Sequence, residues 1–353
     1  MFKAIFILPN LNAGGAEKVF LNIMELLKKD VRVYLIVFNS TGILQKSIPK
    51  EVKFINLETK RLRNSIFKLP YYIFKIKPNV ILSTLLHVNI YLLILNFIFF
   101  NRFKIILRET NFHYSNTKQK IIYYFIYKYL YRLSSNIITS SIMMKEDLIK
   151  NFNIKHKKIF HINNPVIFHN SENDENITTH FKVKTIYYLS IGRLTNQKNF
   201  NFLIDTMIQI KNHNFILNIY GEGNDYNKLQ KKIISKKLSN KVYIRKNVLN
   251  IKKVYENSNV LILTSKWEGM PNVVLEALCC GLIVVCSSTS GAVNELLEDF
   301  KNQIFIYNDQ EELISILLRF NYSNFNNKKN LNIPENYKNS KIKKQYLELL
   351  SKY

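Results

Sequence analysis

Short apolar runs alternate with stretches of helical spacing along the chain. Residues 4–8, 31–38 and 52–57 have the length of buried strands, and residues 16–28 between the first two carry apolar positions at helical period. Val80-Ile81-Leu82-Ser83, Ile105-Ile106-Leu107, Ile137-Ile138-Thr139 and Ile159-Phe160-His161-Ile162 continue the series, which ends just before Asn163-Asn164-Pro165. Such alternation predicts a doubly wound parallel sheet. A second series at residues 185–191, 215–220, 242–245, 260–263 and 283–286 predicts another Rossmann-like sheet, and residues 340–352 read as a closing helix. The polar stretch 169–179 has the composition of a linker or exposed loop. With 353 residues the chain is long enough for two α/β domains, each with its own core.

One segment carries more chemistry than the rest. In Glu268-Gly269-Met270-Pro271-Asn272-Val273-Val274-Leu275-Glu276, two carboxylates bracket a Gly-x-Pro turn and the start of an apolar helix. The run 260–264 before it reads as a strand, Pro271 suits a first helical turn, and Gly281 closes the helix. A loop and helix N-terminus at the carboxyl edge of a parallel sheet favour an anion such as a diphosphate. Glu268 in the loop can accept from sugar hydroxyls, and Glu276 in the helix from the two hydroxyls of a ribose. Two surface glutamates flanking a helix start would, taken alone, look the same.

The segment resembles the Glu-x7-Glu motif of retaining glycosyltransferases of family 4, which have the two-domain GT-B fold. Further matches fall in the family's order: Gly14-Gly15-Ala16-Glu17, His87 within Leu86-His87-Val88-Asn89, Gly192-Arg193-Leu194-Thr195-Asn196-Gln197-Lys198-Asn199, Gly221-Glu222-Gly223, and Ser290-Gly291-Ala292-Val293-Asn294-Glu295. The resemblance implies two Rossmann-like parallel-sheet domains facing across a cleft. Residues 1–165 would form the acceptor-side domain and 166–335 the nucleotide-sugar domain, with a helix in 336–353 crossing back to the first. It implies that Arg193 and Lys198 grip a donor diphosphate, Arg as a bidentate fork and Lys as a point charge. Gly14, Gly15, Gly221 and Gly223 would let backbone approach the donor, Gly269, Met270, Pro271 and Asn272 would line it, and His87 would donate a hydrogen bond to a sugar hydroxyl. Taken alone, a His in so apolar a run is more often a core residue. Retention of anomeric configuration is also implied, through a front-face mechanism in which the protein supplies geometry and electrostatics.

Composition narrows the setting. Cys279, Cys280 and Cys286 are odd in number and embedded in apolar sequence, which suggests buried thiols in a reduced, cytoplasmic protein. No Cys/His spacing suits a metal and no Asp-x-Asp is present, so metal-independent chemistry without a cofactor is expected. Residues 1–9 run straight into a glycine loop and read as part of the fold, with no secretory signal. The net charge of +26 is concentrated: between Glu58 and Glu146 the only acid is Glu109, against Lys60, Arg61, Arg63, Lys68, Lys75, Lys77, Arg102, Lys104, Arg108, Lys118, Lys120, Lys128, Arg132 and Lys145. Aromatics interleave with these cations, as in residues 71–75 and 121–129. That pattern suits an anionic bilayer surface, where each Lys or Arg contributes roughly 1 kcal/mol. A Lys-, Asn- and Ile-rich composition from codon bias, with the aromatics in the core, would also produce it. No nucleic-acid-binding signature accompanies the charge, and nucleic acid is not expected as a partner.

Residues 80–100 are uncharged and long enough to span a bilayer, yet they open like a sheet strand after Pro78. A buried strand followed by an apolar helix is expected, an integral span being the lesser alternative. The expected partners are a nucleotide sugar, a lipid-linked oligosaccharide acceptor and the inner face of the cytoplasmic membrane. A lipid A core acceptor is the nearest variant. A polyanion-binding protein on a degenerate transferase fold is the rival from another class.

Overall fold

The computed structural model describes residues 1–353 except 13, 60, 112–119, 169–184, 247, 249–250, 322–324 and 326–332. The expected linker at 169–179, together with Lys60 and Lys118 of the basic stretch, lies outside the described residues. The first part of the chain runs β1 (Lys3–Leu8), α1 (Gly15–Leu27), β2 (Arg32–Val37), β3 (Lys53–Asn56), α2 (Lys68–Ile76), β4 (Val80–Thr84), α3 (Leu86–Ile98), β5 (Ile105–Glu109), α4 (Lys120–Phe125), β6 (Asn136–Thr139), α5 (Ile142–Lys150) and β7 (Ile159–His161). The second runs β8 (Ile186–Ile191), α6 (Phe200–Gln209), β9 (Phe215–Tyr220), α7 (Tyr226–Ser235), β10 (Val242–Arg245), α8 (Ile251–Glu256), β11 (Val260–Leu263), α9 (Asn272–Cys279), β12 (Ile283–Ser287), β13 (Ile304–Tyr307), α10 (Gln310–Arg319) and α11 (Asn339–Leu350).

These elements form two compact units. Unit 1 comprises Met1–Ile167 with Glu335–Tyr353, and unit 2 comprises Phe168–Pro334. Each holds one sheet, in the order β3-β2-β1-β4-β5-β6-β7 in unit 1 and β10-β9-β8-β11-β12-β13 in unit 2. Every pairing is parallel. Parallel strands must be covered on both faces, which explains why they read as unbroken apolar runs. In β1 the period of two sends Ala4, Phe6 and Leu8 toward α1 and α11, and Ile5 and Ile7 toward α2, α3 and α5. Helix α11 belongs to unit 1: Ile342, Tyr346 and Leu349 join Phe20, Ile23 and Leu27 of α1 in its core, and Lys343 pairs with Asp30 at 2.7 Å.

Strand order reverses between β1 and β4 in unit 1, and between β8 and β11 in unit 2. At such a point the loops leaving neighbouring strands diverge to opposite faces, and ligands of open α/β sheets bind in the crevice at the carboxyl ends.

Several expectations need correction. Strand β13 was not expected; it is a four-residue strand that pairs, among the described residues, with β12 alone, and so short an apolar run carries no decisive period. Helix α9 starts at Asn272, with Pro271 at the preceding N-cap in extended backbone, where its carbonyl accepts from Val274 N–H at 3.0 Å. Arg108 does not belong to the basic surface: alternation along β5 turns it into the core, 3% exposed, where Nη2 donates to Asn164 Oδ1 at 2.5 Å. Residues 80–100 divide into β4 and α3, and no helix among the described residues is long and apolar enough to cross a membrane.

Candidate active site

In unit 2 the loops leaving β8 and β11 flank the switch point and are stitched together. Lys266 N–H donates to Gln197 O at 2.9 Å, Gln197 Nε2 to Trp267 O at 2.9 Å, Lys266 Nζ to Asn196 Oδ1 at 2.7 Å and Thr264 Oγ1 to Lys198 O at 2.9 Å. The result is to set Lys198 and Glu268, seventy residues apart, side by side. Lys198 Nζ donates to Glu268 Oε1, and the two side chains are only 14% and 12% exposed. An ion pair so shielded from solvent is screened far less than a surface pair. Arg193, from the same loop as Lys198, is exposed and its side chain makes no hydrogen bond or ion pair among the described residues. It is a guanidinium fork open to a ligand.

Two neighbouring loops complete the floor. Leaving β9, Gly221 passes so close to the first loop that a Cβ there would lie 1.9 Å from Gly192 O. Leu194 N–H donates to Glu222 O at 2.9 Å, and Asp225 N–H to Leu194 O at 3.1 Å. After β12, Gly291 adopts φ +70°, and its Cβ would lie 2.2 Å from Glu268 O, so only glycine fits there. The adjoining Ala292 N–H donates to Gly269 O at 3.0 Å, and Met270 is buried. Glu268, Gly269, Met270, Pro271 and Asn272 thus form a braced loop that ends at the N-terminus of α9, the positive end of the helix dipole, which favours an anion.

Glu276 lies one turn into α9 and is buried, accepting at Oε2 from Tyr255 Oη at 2.8 Å. Tyr255 in α8 was not foreseen, and its sequence context, Lys253-Val254-Tyr255-Glu256, gives no signal. It orients the carboxylate. The thiols of Cys279 and Cys280 are pushed up by burial, to about 11 and about 12, and Cys286 to about 12 for the same reason. They are neutral at physiological pH. Among the described residues no group of three or more His, Cys, Asp or Glu could hold a metal.

The remaining expected residues lie in unit 1. Gly14 caps α1 and Gly15 begins it, and the Glu17 carboxylate folds back over Gly14, where a Cβ would meet Oε2 at 2.0 Å. That carboxylate stands at the helix N-terminus assigned to the donor. His87 is exposed in the first turn of α3, and partial desolvation lowers its pKa below the usual imidazole range, so the ring is neutral at pH 7. Leu85, two residues earlier, holds φ +72°, a conformation that costs a non-glycine residue about 1–3 kcal/mol and is concentrated at functional sites. Asn89 of the His-x-Asn pattern is a core residue: it accepts from Ser83 Oγ at 2.7 Å and donates to Tyr131 Oη at 3.1 Å.

Comparison with known proteins shows the family and the fold. The family model for glycosyl transferases group 1 matches residues 155–338, and that for glycosyltransferase family 4 matches residues 13–168. A Campylobacter jejuni N-acetylgalactosamine-N,N'-diacetylbacillosaminyl-diphospho-undecaprenol 4-alpha-N-acetylgalactosaminyltransferase is 27% identical, over 88% of this chain and 87% of its own. A second C. jejuni alpha-1,4-N-acetyl-D-galactosaminyltransferase, named for a diphospho-undecaprenol-linked substrate, is 26% identical over 99% of both chains. Among solved structures, Anabaena HepE in complex with UDP and glucose superposes with a TM-score of 0.76 over the whole of both chains at 18% identity. Sucrose-phosphate synthase from Thermosynechococcus elongatus gives 0.79 at 14% identity, over 100% of this chain and 99% of its own. The fold is GT-B. The two family matches meet where unit 1 gives way to unit 2 and together span residues 13–338, and the chain belongs to the group 1 glycosyl transferases.

Proposed function

We propose that this glycosyltransferase is retaining and metal-independent, and moves a hexose or N-acetylhexosamine from a UDP-sugar to a lipid-linked glycan in the synthesis of a bacterial surface polysaccharide or glycan. The observation that carries the reading is the shielded Lys198–Glu268 pair, with Arg193 free beside it, at the switch point of the unit 2 sheet. Arg193 and Lys198 would hold the donor diphosphate and stabilise the charge it gains as the bond to the anomeric carbon breaks. With Lys198 engaged by phosphate, Glu268 becomes free to accept from sugar hydroxyls. Glu276, aimed by Tyr255, would accept from the ribose. The departing phosphate oxygen takes the proton of the acceptor hydroxyl, whose oxygen bonds to the anomeric carbon from the same face. His87 keeps the role that the resemblance gives it, a hydrogen bond to a sugar hydroxyl. The UDP bound to HepE and the diphospho-undecaprenol substrates of the C. jejuni relatives support the donor and acceptor classes.

Hydrolysis of a panel of UDP-, GDP- and ADP-sugars tests this. One UDP-sugar should turn over in the presence of EDTA, and Glu268→Ala should abolish it. No turnover, even with lipid-linked acceptor added, would leave only a binding protein on a transferase fold.

The acceptor class suggests a membrane seat, and unit 1 carries a surface suited to one. Phe67 and Tyr71 beside α2, Phe97 and Phe100 at the end of α3, and Ile121, Phe125 and Tyr129 along α4 and the π-helical turn after it are exposed. Phe74, Phe99 and Phe103 join α2 to the end of α3 through ring contacts of 5.4–5.9 Å. Lys75 stands over Tyr71, and Lys128 over Tyr124 and Tyr129. Cations on an aromatic face match an anionic bilayer. Sedimentation with phosphatidylglycerol vesicles should fall steeply as salt is raised, and Phe67→Ser with Phe100→Ser should weaken it at unchanged charge. Binding indifferent to both would remove the membrane seat.

A further inference from the structure

Unit 1 contains a pocket of about 550 Å³ in which the donor chemistry uses only His87. It lies at the carboxyl ends of β1 and β2, against the start of α3, and its polar lining includes Asn10, Asn39, Thr41, Arg61, Arg63 and His87. Its volume is that of a small-molecule site. What distinguishes it is the sign of its hydrogen-bonding capacity. Asn10 Oδ1 accepts from Asn12 N–H at 3.1 Å, and Asn39 Oδ1 from Thr41 N–H at 3.3 Å. Those carbonyls are therefore engaged by backbone, while the amide nitrogens of both residues make no hydrogen bond among the described residues. Arg61 and Arg63 can only donate, both are exposed, and neither side chain has a hydrogen-bond or ion-pair partner among the described residues. Among the described residues no acidic side chain lines the pocket. Two unpaired guanidinium forks and two amide donors around one concavity form a receptor for a multiply charged oxyanion.

The surroundings specify which one. His87 places a neutral imidazole, able to bond a sugar hydroxyl, on the same wall. Immediately after Arg63 the chain surfaces in Phe67, 86% exposed, and Tyr71 of α2. Donors for an oxyanion and a hydroxyl reader thus line one pocket, and exposed aromatics follow Arg63 closely along the chain. We propose that this pocket binds the acceptor by the diphosphate that joins its glycan to its lipid, with Arg61 and Arg63 on the phosphates and the lipid leaving over Phe67 and Tyr71. The assignment rests on the lipid-linked acceptor proposed above and names the group through which that acceptor is held.

The test is binding of farnesyl diphosphate to the full chain by equilibrium dialysis, with saturating UDP present to occupy the nucleotide site. Farnesol and inorganic pyrophosphate serve as comparison probes. Farnesyl diphosphate should bind at least about tenfold more tightly than either, and Arg61→Gln with Arg63→Gln should remove its advantage over farnesol. Because neither side chain supports the fold, the variant should unfold like the parent. Equal binding of farnesol, or an advantage unchanged in the variant, would overturn the site. Equal binding of inorganic pyrophosphate would overturn the lipid assignment. Donor hydrolysis by the same variant should be unaltered, so a protein that hydrolyses no donor counts against the transferase reading while leaving the diphosphate result to be judged by itself.

Discussion

Replacing Lys198 by alanine is expected to lower sugar transfer by about a hundredfold or more, the scale seen when one preorganised electrostatic donor is removed from an active site. The loss should fall mainly on kcat, because Lys198 gains most as the diphosphate departs, whereas Arg193→Ala should raise KM as well. Stability serves as the internal control. The Lys198–Glu268 pair is shielded but still reaches solvent, and Thr264 and the backbone bonds of Lys266 brace the loops independently of it. The melting temperature should therefore shift by only a few degrees. A purely structural pair would behave differently: Lys198→Ala and Glu268→Ala would each cost stability, the double variant would regain it, and turnover would follow the folded fraction. Steady-state kinetics beside thermal unfolding of the three variants separate the cases.

Gly221→Ala is expected to have the largest effect on the fold of unit 2, a loss of about 3 kcal/mol or more. Its Cβ would meet the carbonyl oxygen of Gly192 at 1.9 Å, and that atom is backbone, held in place because Gly192 N–H donates to Tyr220 O at 3.0 Å. No side-chain rotation relieves the clash. Either the loop after β9 or the loop carrying Arg193 and Lys198 must move, so donor binding should fail even where the unit stays folded. Gly14→Ala is the contrasting case, since its closest neighbour is the end of the Glu17 side chain, which can swing away. Urea unfolding of both variants decides the matter, and a Gly221→Ala midpoint equal to that of the parent would show that the two loops are not in contact.

Both sheets were legible because a strand buried on two faces must be apolar throughout, and such runs stand out between polar loops. β9, β10 and β11 begin and end where the sequence placed them. The motif residues of unit 2 stand where loops are braced: Gly192, Gly221 and Gly291 lie against neighbouring chain with no room for a Cβ, and Lys198 pairs with Glu268. What could not be read were partners supplied by distant chain. Tyr255 reaches Glu276 across twenty-one positions, and nothing in either segment announces the other. Arg108 failed for the converse reason, since a cation in a basic stretch looks exposed until strand alternation turns it inward. Arg61 and Arg63 were visible as charge, but their grouping with Asn10, Asn39 and His87 depends on the ends of four strands, β1 to β4, meeting at one edge.

The place of α11 bears on the order in which the protein takes shape. Unit 2 is a single uninterrupted segment, whereas unit 1 draws its last helix from residues made after all of unit 2. During synthesis the face of α1 that meets Ile342 and Tyr346 stays uncovered, and Arg108 lacks its Tyr346 neighbour, until α11 has been made. Unit 2 can therefore complete its core while unit 1 still shows apolar surface to chaperones and to neighbouring chains. The unit that begins the chain is thus the last to receive all of its residues.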